Sequence, residues 1–428
     1  MIQQCDVGVE TWTLPNGVRA VAEYMPSVRS VAIGAWVLAG SRHEPSSVQG
    51  ITHFVEHLMF KGTARRSARD IAEVMDEVGG QLNAFTTKEY TCFHARVLDQ
   101  HLPLAADVLS DMLLNSLFRT EDIDREKGVV LEEIGMYEDA PDELVHDLFA
   151  QAIWSDHPLG RSVLGVPDTV MCFDRERIID YLRSAYAPAH AVVAVAGNFD
   201  PQSLRGLLED SFGRWDGPMP ARTPAGPRTH LQTLVRSKET ELVHVCLGGE
   251  ALPLGHPDIY SLSIMSNILG GGPSSRLFQE VREERGLAYS VFSYTSAFRD
   301  GGVFAVYCGA GPERIGTAMG VVGNELRRLS GSGVTEVELY RAKEQLKSNI
   351  TMALESTSAR MNRIGRSLLL LDEVVDIDAV LQRIERVSLD DIQRVASRFC
   401  DPAMLSLAAI GPQLDRLDLR AAVASGCS

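Results

Sequence analysis

Near the middle of the chain, Asp216-Gly-Pro-Met-Pro-Ala-Arg-Thr-Pro-Ala-Gly-Pro-Arg228 puts four prolines and two glycines into thirteen residues. Proline lacks the amide donor, and its ring clashes with the preceding helical turn. The segment can therefore continue neither a helix nor a central strand. It reads as a linker, 216–228, between a first domain at 1–215 and a second at 229–428. A length of 428 residues agrees with two or three domains.

Both pieces run through the same kinds of element in the same order. The first has a strand-like Arg29–Gly40, helical periodicity at 50–61 and 67–78, and a strand at Tyr90–Val97. Helices at 101–116 and 121–138 and a strand at Ala189–Gly197 complete it. The second has a strand from Val243, helices at 257–269 and 274–285, and a strand at Gly302–Cys308. Helices at 312–330 and 335–355 and a strand at Met404–Ile410 follow. Local matches support a duplication: Gly80–Asn83 lies on Gly286–Tyr289 at an offset of 206, and Thr120–Lys127 on Thr335–Lys343 at 215 to 216. The expected fold is α+β, made of two homologous halves. Each is an antiparallel-rich sheet with helices packed on one face.

Composition narrows the function. The net charge of −16 argues against nucleic acid as a partner. No run of about 18 apolar residues occurs, so no membrane span is expected. The seven cysteines are scattered without a Cys-x-x-Cys pair, which is the usage of a reducing compartment. The first residues have neither the basic start nor the apolar core of a secretory signal. A cytoplasmic location is the expectation.

Chemistry enters at Gly50-Ile-Thr-His53-Phe-Val-Glu56-His57-Leu-Met-Phe-Lys-Gly62. At about 100° per residue, Ile51, Phe54, Val55, Leu58 and Met59 share one arc of a helix. His53, Glu56 and His57 share the opposite arc. Histidines at i and i+4 can reach one zinc ion, with the glutamate beside them. The order is His-x-x-Glu-His, inverted from the commoner zinc-peptidase helix. A solvated polar face is the plain alternative. Further on, Glu126 and Glu133 lie one heptad apart and so on one helix face, with Glu132 turned about 100° away. By themselves they could be a solvated pair.

Those stretches resemble the pitrilysin (insulinase, M16) family of zinc peptidases, and most of all its processing-peptidase subgroup. The resemblance covers nearly the whole chain. It includes Asn16-Gly-Val-Arg, Gly50–Thr63, Gly80-Gln-Leu-Asn83-Ala-Phe-Thr-Thr, Val130–Ile134 and Gly160–Gly165. In the second half it takes in Gly270–Phe278 and Arg282–Tyr289. It implies that His53, His57 and Glu133 bind one Zn2+ per chain, that Glu126 supports the site, and that Glu56 is the general base. It also implies strand addition of a peptide along Asn83, Ala84 and Phe85. Asn83 alone would read as a turn residue. Arg282 and Tyr289 match positions that hold the substrate carbonyl and the oxyanion, although Arg282 could equally be a surface charge. Glu143 and Asp147 match an acidic pair that reads a basic residue near the cut site, or else form a charged solvent face.

The second half lacks the metal residues: Ile259, Leu262 and Ser263 stand at the first offset, Ala342 and Asn349 at the second. The implied activity is a zinc metalloendopeptidase that cuts short or unfolded polypeptides inside a closed chamber. Such a chain is half of a clamshell, completed as a homodimer or as a heterodimer with an inactive homologue. The rival is a non-catalytic structural or partner subunit. A metal-dependent hydrolase of non-peptide substrates is a third reading.

Overall fold

The computed structural model describes residues 8–217 and 226–426. Cys5, Cys427 and positions 218–225 of the expected linker lie outside the described residues. Two compact units emerge, and neither is continuous in sequence. The first draws its described residues from Met1–Ile134, Ser162–Pro224 and Thr351–Val375, the second from Gly135–Arg161, Ala225–Ile350 and Asp376–Ser428. The expected boundaries at 215 and 229 thus miss an exchange, in which each half of the sequence gives the other unit a segment.

Six strands form the first unit's sheet: β1 (Val9–Thr13), β2 (Arg19–Tyr24), β3 (Ser30–Val37), β4 (Gln81–Thr86), β5 (Thr91–Leu98) and β6 (Ala191–Gly197). Their order is β1-β2-β6-β3-β5-β4, antiparallel except for β2 beside β6. The second sheet has β7 (Thr233–Ser237), β8 (Val243–Ala251), β9 (Ser290–Ala297), β10 (Gly302–Ala310) and β11 (Ser406–Gly411). Its order is β7-β11-β8-β10-β9, again with one parallel pair, β7 and β11. Apart from the extra β1, the two sheets repeat one strand order. This is the α+β architecture of two homologous halves.

Side-chain alternation shows how the faces are covered. In β3, Val31, Ile33, Ala35 and Val37 join a core with Phe54, Leu58, Leu109 and Met112 from the helices Ile51–Met59 and Leu102–Asn115. The intervening Gly34 and Trp36 face the other way. There the helix Thr357–Leu371, donated by the second half of the sequence, lies on the sheet. Its Arg360 and Arg363 both reach the buried Glu23 of β2. The second sheet repeats the device. Val245 and Leu247 face one core, whereas Cys246 packs with Val145 and Phe149 of the donated helix Pro141–Ile153. Each sheet therefore carries several helices on one face and one exchanged helix on the other. Among the described residues no helix is long and apolar enough to cross a membrane.

Gly365 allows the exchanged helix to sit close. A Cβ there would lie 2.5 Å from Trp36 Nε1 and 3.0 Å from Ala194 Cβ, and Trp36 is fully buried. Gly365→Ala gains about 1 kcal/mol of helix propensity. It overpacks the contact at a cost of about 1–3 kcal/mol. Net destabilisation is expected, read as a lower denaturant midpoint; a midpoint at or above the parent's would contradict this close packing.

Candidate metal centre

The helix Ile51–Met59 begins on Gly50, whose φ of +87° is left-handed and whose missing side chain supplies no cap. A carboxylate from the preceding loop does that work. The buried Glu44 accepts from Gly50 N at 2.7 Å and from Thr52 N at 2.8 Å. Negative charge at a helix start is favourable, because the first amides point outward unpaired. Thr52 adds a 2.5 Å contact between its hydroxyl and that of Tyr181. Ile51, Phe54, Val55, Leu58 and Met59 are all buried, so the apolar arc is spent on the core. His53, Glu56 and His57 are left together on the other side.

The second helix, Thr120–Glu138, brings Glu126 and Glu133 to that arc. Glu133 Oε2 lies 3.7 Å from His53 Nε2 and 3.5 Å from His57 Nε2. Among the described residues His53, His57 and Glu133 are the cluster able to hold a metal, one donor atom from each lying within 4.8 Å of the others. Zinc with nitrogen and oxygen ligands at about 2.1 Å separates tetrahedral donors by about 3.4 Å, so the donor set fits the ion. Two imidazoles and a carboxylate leave a fourth position open, as a catalytic site requires. Glu132 is exposed, turned away as its helix position demands.

The electrostatics prepare these groups. Burial, with His57 nearby, holds the His53 pKa down to about 4, so this imidazole is neutral and ready to donate a lone pair. The ring of His57 is fixed by Nδ1, 2.9 Å from Glu126 Oε1. Burial opposes charge on His57, but the Glu126 hydrogen bond and the nearby Glu133 raise its pKa overall. Glu126 is only 2% exposed. Burial works against its charge, yet His57 and the Lys61 ammonium, 2.6 Å from Oε2, keep its pKa below the ordinary value. Glu56 is pushed up, chiefly by burial. A carboxylate so raised is better matched to accepting a proton near neutral pH.

Residues 19–166 match the model of the insulinase (M16) peptidase family, and residues 173–346 that of the M16 inactive domain. A zinc protease of Bacillus subtilis, YmxG, is 44% identical over 91% of this chain and 95% of its own length. A zinc protease of Streptomyces coelicolor is 46% identical over 95% and 90%. The fold is shared with a protease from Helicobacter pylori at TM-score 0.88, with 23% identity over 95% of this chain and 99% of that one. The chain belongs to the M16 family of zinc peptidases.

Other positions singled out by the M16 pattern fall as follows. On β4, the outermost strand on its side, Ala84 faces the helical core, while Asn83 and Phe85 face the opposite way. Phe85 packs edge-on to Trp36 at 5.8 Å. The exposed Asn83 turns its Oδ1 onto Ala84 N at 2.8 Å. The β4 residue that reaches the metal helix is Thr86, whose hydroxyl donates to Glu56 Oε2 at 2.5 Å. Thr86 lay inside a recognised stretch with no signal marking it. Lys61 and Glu44 were likewise not identifiable by spacing.

In the second unit the expected helix at 274–285 resolves into a short π-helical turn, Phe278–Glu283. It brings the Arg282 guanidinium over the Tyr289 ring at 5.6 Å, with Tyr289 well exposed. Glu143 is exposed, and Asp147 lies beside the Tyr137 hydroxyl. Ile259, Leu262 and Ser263 occupy the helix Ile259–Gly270, which packs on β9 as the metal helix packs on β4.

Removing Glu126's charge by Glu126→Gln should weaken zinc binding about 10- to 100-fold, measured by competition with a chromogenic chelator. Zinc must displace a proton from His57, whose pKa is raised. In the parent, affinity is therefore expected to fall as pH drops through that raised value. A pH-independent affinity between pH 8 and 5 would contradict this coupling.

Proposed function

We propose that this chain is a zinc-dependent endopeptidase acting on short or unfolded polypeptides, with His53, His57 and Glu133 holding one zinc per chain. The observation that carries the reading is the convergence of two imidazoles from the helical turn that also bears Glu56 with the Glu133 carboxylate from a second helix. Zinc bound there supplies Lewis acidity, polarising a peptide carbonyl and acidifying a water. Glu56 accepts a proton from that water as the new C–O bond forms, then returns it to the amide nitrogen as the C–N bond breaks. Glu126 keeps His57 in one tautomer and one ring orientation throughout. The peptide adds as a strand beside β4 along Asn83–Phe85, held by backbone hydrogen bonds with little sequence demand. Its basic side chains are read by Glu143 and Asp147, in keeping with the net charge of −16.

Replacing Glu56 by Gln keeps the side chain's size and leaves all three zinc donors. The variant should retain its zinc but lose turnover of a quenched fluorescent peptide, and a chelator should silence the parent enzyme. Turnover at the parent rate in Glu56→Gln would defeat the assignment.

Arg282 and Tyr289 complete the reading as the pair that holds the carbonyl and the developing oxyanion, supported by their mutual contact. They serve the zinc of a second copy in a homodimer with a closed chamber; a heterodimer with an inactive homologue is the other assembly. The chain is of the processing-peptidase kind, and its placement is cytoplasmic, a location supported by the five free thiols among the described residues. If the site is shared, mixing Glu56→Gln chains with Arg282→Ala chains restores part of the activity. Mixed dimers with none would make the pair act within one chain.

A further inference from the structure

We infer that Thr86 is a positioning residue for Glu56: its hydroxyl fixes one carboxylate oxygen, so that the other is the one presented to the reacting water. The inference rests on Glu56 being the general base. The Thr86 hydroxyl donates to Glu56 Oε2 at 2.5 Å, the short distance of a charge-assisted bond. The last torsion of a glutamate is broad and roughly two-fold, so without such a donor the carboxylate would turn. With Oε2 occupied, Oε1 is left to take the proton.

Thr86 is itself held rigidly. It is the last residue of β4 and pairs with Thr91, the first of β5. Its β-branched side chain has few rotamers. Thr91 is fully buried and donates its own hydroxyl to Ala39 O at 2.9 Å, leaving only a lone pair toward Thr86 Oγ1 at 3.3 Å. The Thr86 proton therefore chooses between two acceptors, and an ionised Glu56 at the shorter distance wins.

The frame behind this contact is shared by strand and helix. The turn after β4 is tied to the loop at 41–44 by Ser41 N to Thr87 O at 3.2 Å and Arg42 N to Lys88 O at 2.8 Å. Arg42 and Glu89 add a buried ion pair at 2.5 Å. The same loop supplies Glu44, which grips the start of the metal helix. One short loop thus sets the distance between Thr86 and Glu56. Since β4 is also the edge proposed to receive the peptide, the strand that binds substrate is the strand that aims the base.

The test compares Thr86→Val, which keeps the shape and loses the donor, with Thr86→Ser, which keeps the donor. For Thr86→Val, kcat on a quenched fluorescent peptide should fall about 10- to 100-fold, the scale of a misplaced catalytic group. KM, zinc affinity by chelator competition and the melting temperature should stay at the parent's values. Thr86→Ser should recover most of kcat. Full kcat in Thr86→Val, a parallel loss of zinc affinity, or no recovery in Thr86→Ser would each overturn the inference. Glu56→Gln run alongside separates the two levels. If it is inactive while Thr86→Val is unimpaired, only the positioning role fails; if it is active, the general-base reading fails first.

Discussion

The hydrogen bond between His57 Nδ1 and Glu126 Oε1, at 2.9 Å, is the contact on which the site depends. It ties the metal helix to the helix Thr120–Glu138, and the register it sets brings Glu133, one heptad on, to the ligand nitrogens. A carboxylate buried this deeply is not there for stability alone. Desolvating a carboxylate costs several kcal/mol, by order of magnitude, and is repaid only when every oxygen finds a partner. Glu126 has His57 on one oxygen and Lys61 on the other. The buried Glu126 carboxylate is better understood as a device for orientation, giving up stability that an apolar contact would have supplied.

The same logic runs through the loop before the metal helix. Arg42 and Glu44 of this loop, and Glu89 of the turn after β4, are each at most 3% exposed, an unusual density of buried charge. Burial without partners would be prohibitive. Each carries a named bond: Arg42 with Glu89, and Glu44 with two amides of the helix start. Such bonds are directional where apolar packing is not, so they can fix a distance rather than merely fill a volume. Gly50 makes the arrangement possible. Its left-handed backbone turns the chain into the helix, and a Cβ there would strike Leu164 O at 2.5 Å.

How much of this could be read from the sequence depended on whether the signal was periodic. The apolar arc of Ile51–Met59 obeys a 3.6-residue repeat, so the opposite arc and its three polar residues followed at once. Glu126 and Glu133 followed from the heptad together with the family resemblance. Thr86, Lys61 and Glu44 have no such period. Each acts through a contact between elements distant in sequence, and a threonine within a strand looks like any β-branched filler. The helix exchange was hidden for a related reason. Pro141–Ile153 and Thr357–Leu371 show an apolar face, but the amphipathic pattern does not say which sheet will cover it. The linker drew attention to a boundary in sequence, whereas the units are bounded in space.

Duplication makes the second half a natural control for the first. Its helix Ile259–Gly270 occupies the position of the metal helix against the corresponding edge strand, with Ile259 and Leu262 where His53 and Glu56 stand. Along Glu336–Ala353, Ala342 replaces Glu126 and Asn349 replaces Glu133. Asn349 is exposed, while Ala342 and Leu262 are buried, so two positions matched by sequence offset to glutamates of the first half carry hydrocarbon. Burying such groups gains roughly 25 cal/mol per Å2 without a desolvation cost. The fold therefore does not require the polar cluster, since the same strand order forms in the second half without it. What the first half retains at a cost in stability is retained for chemistry, and the buried carboxylate behind His57 is the clearest measure of that cost.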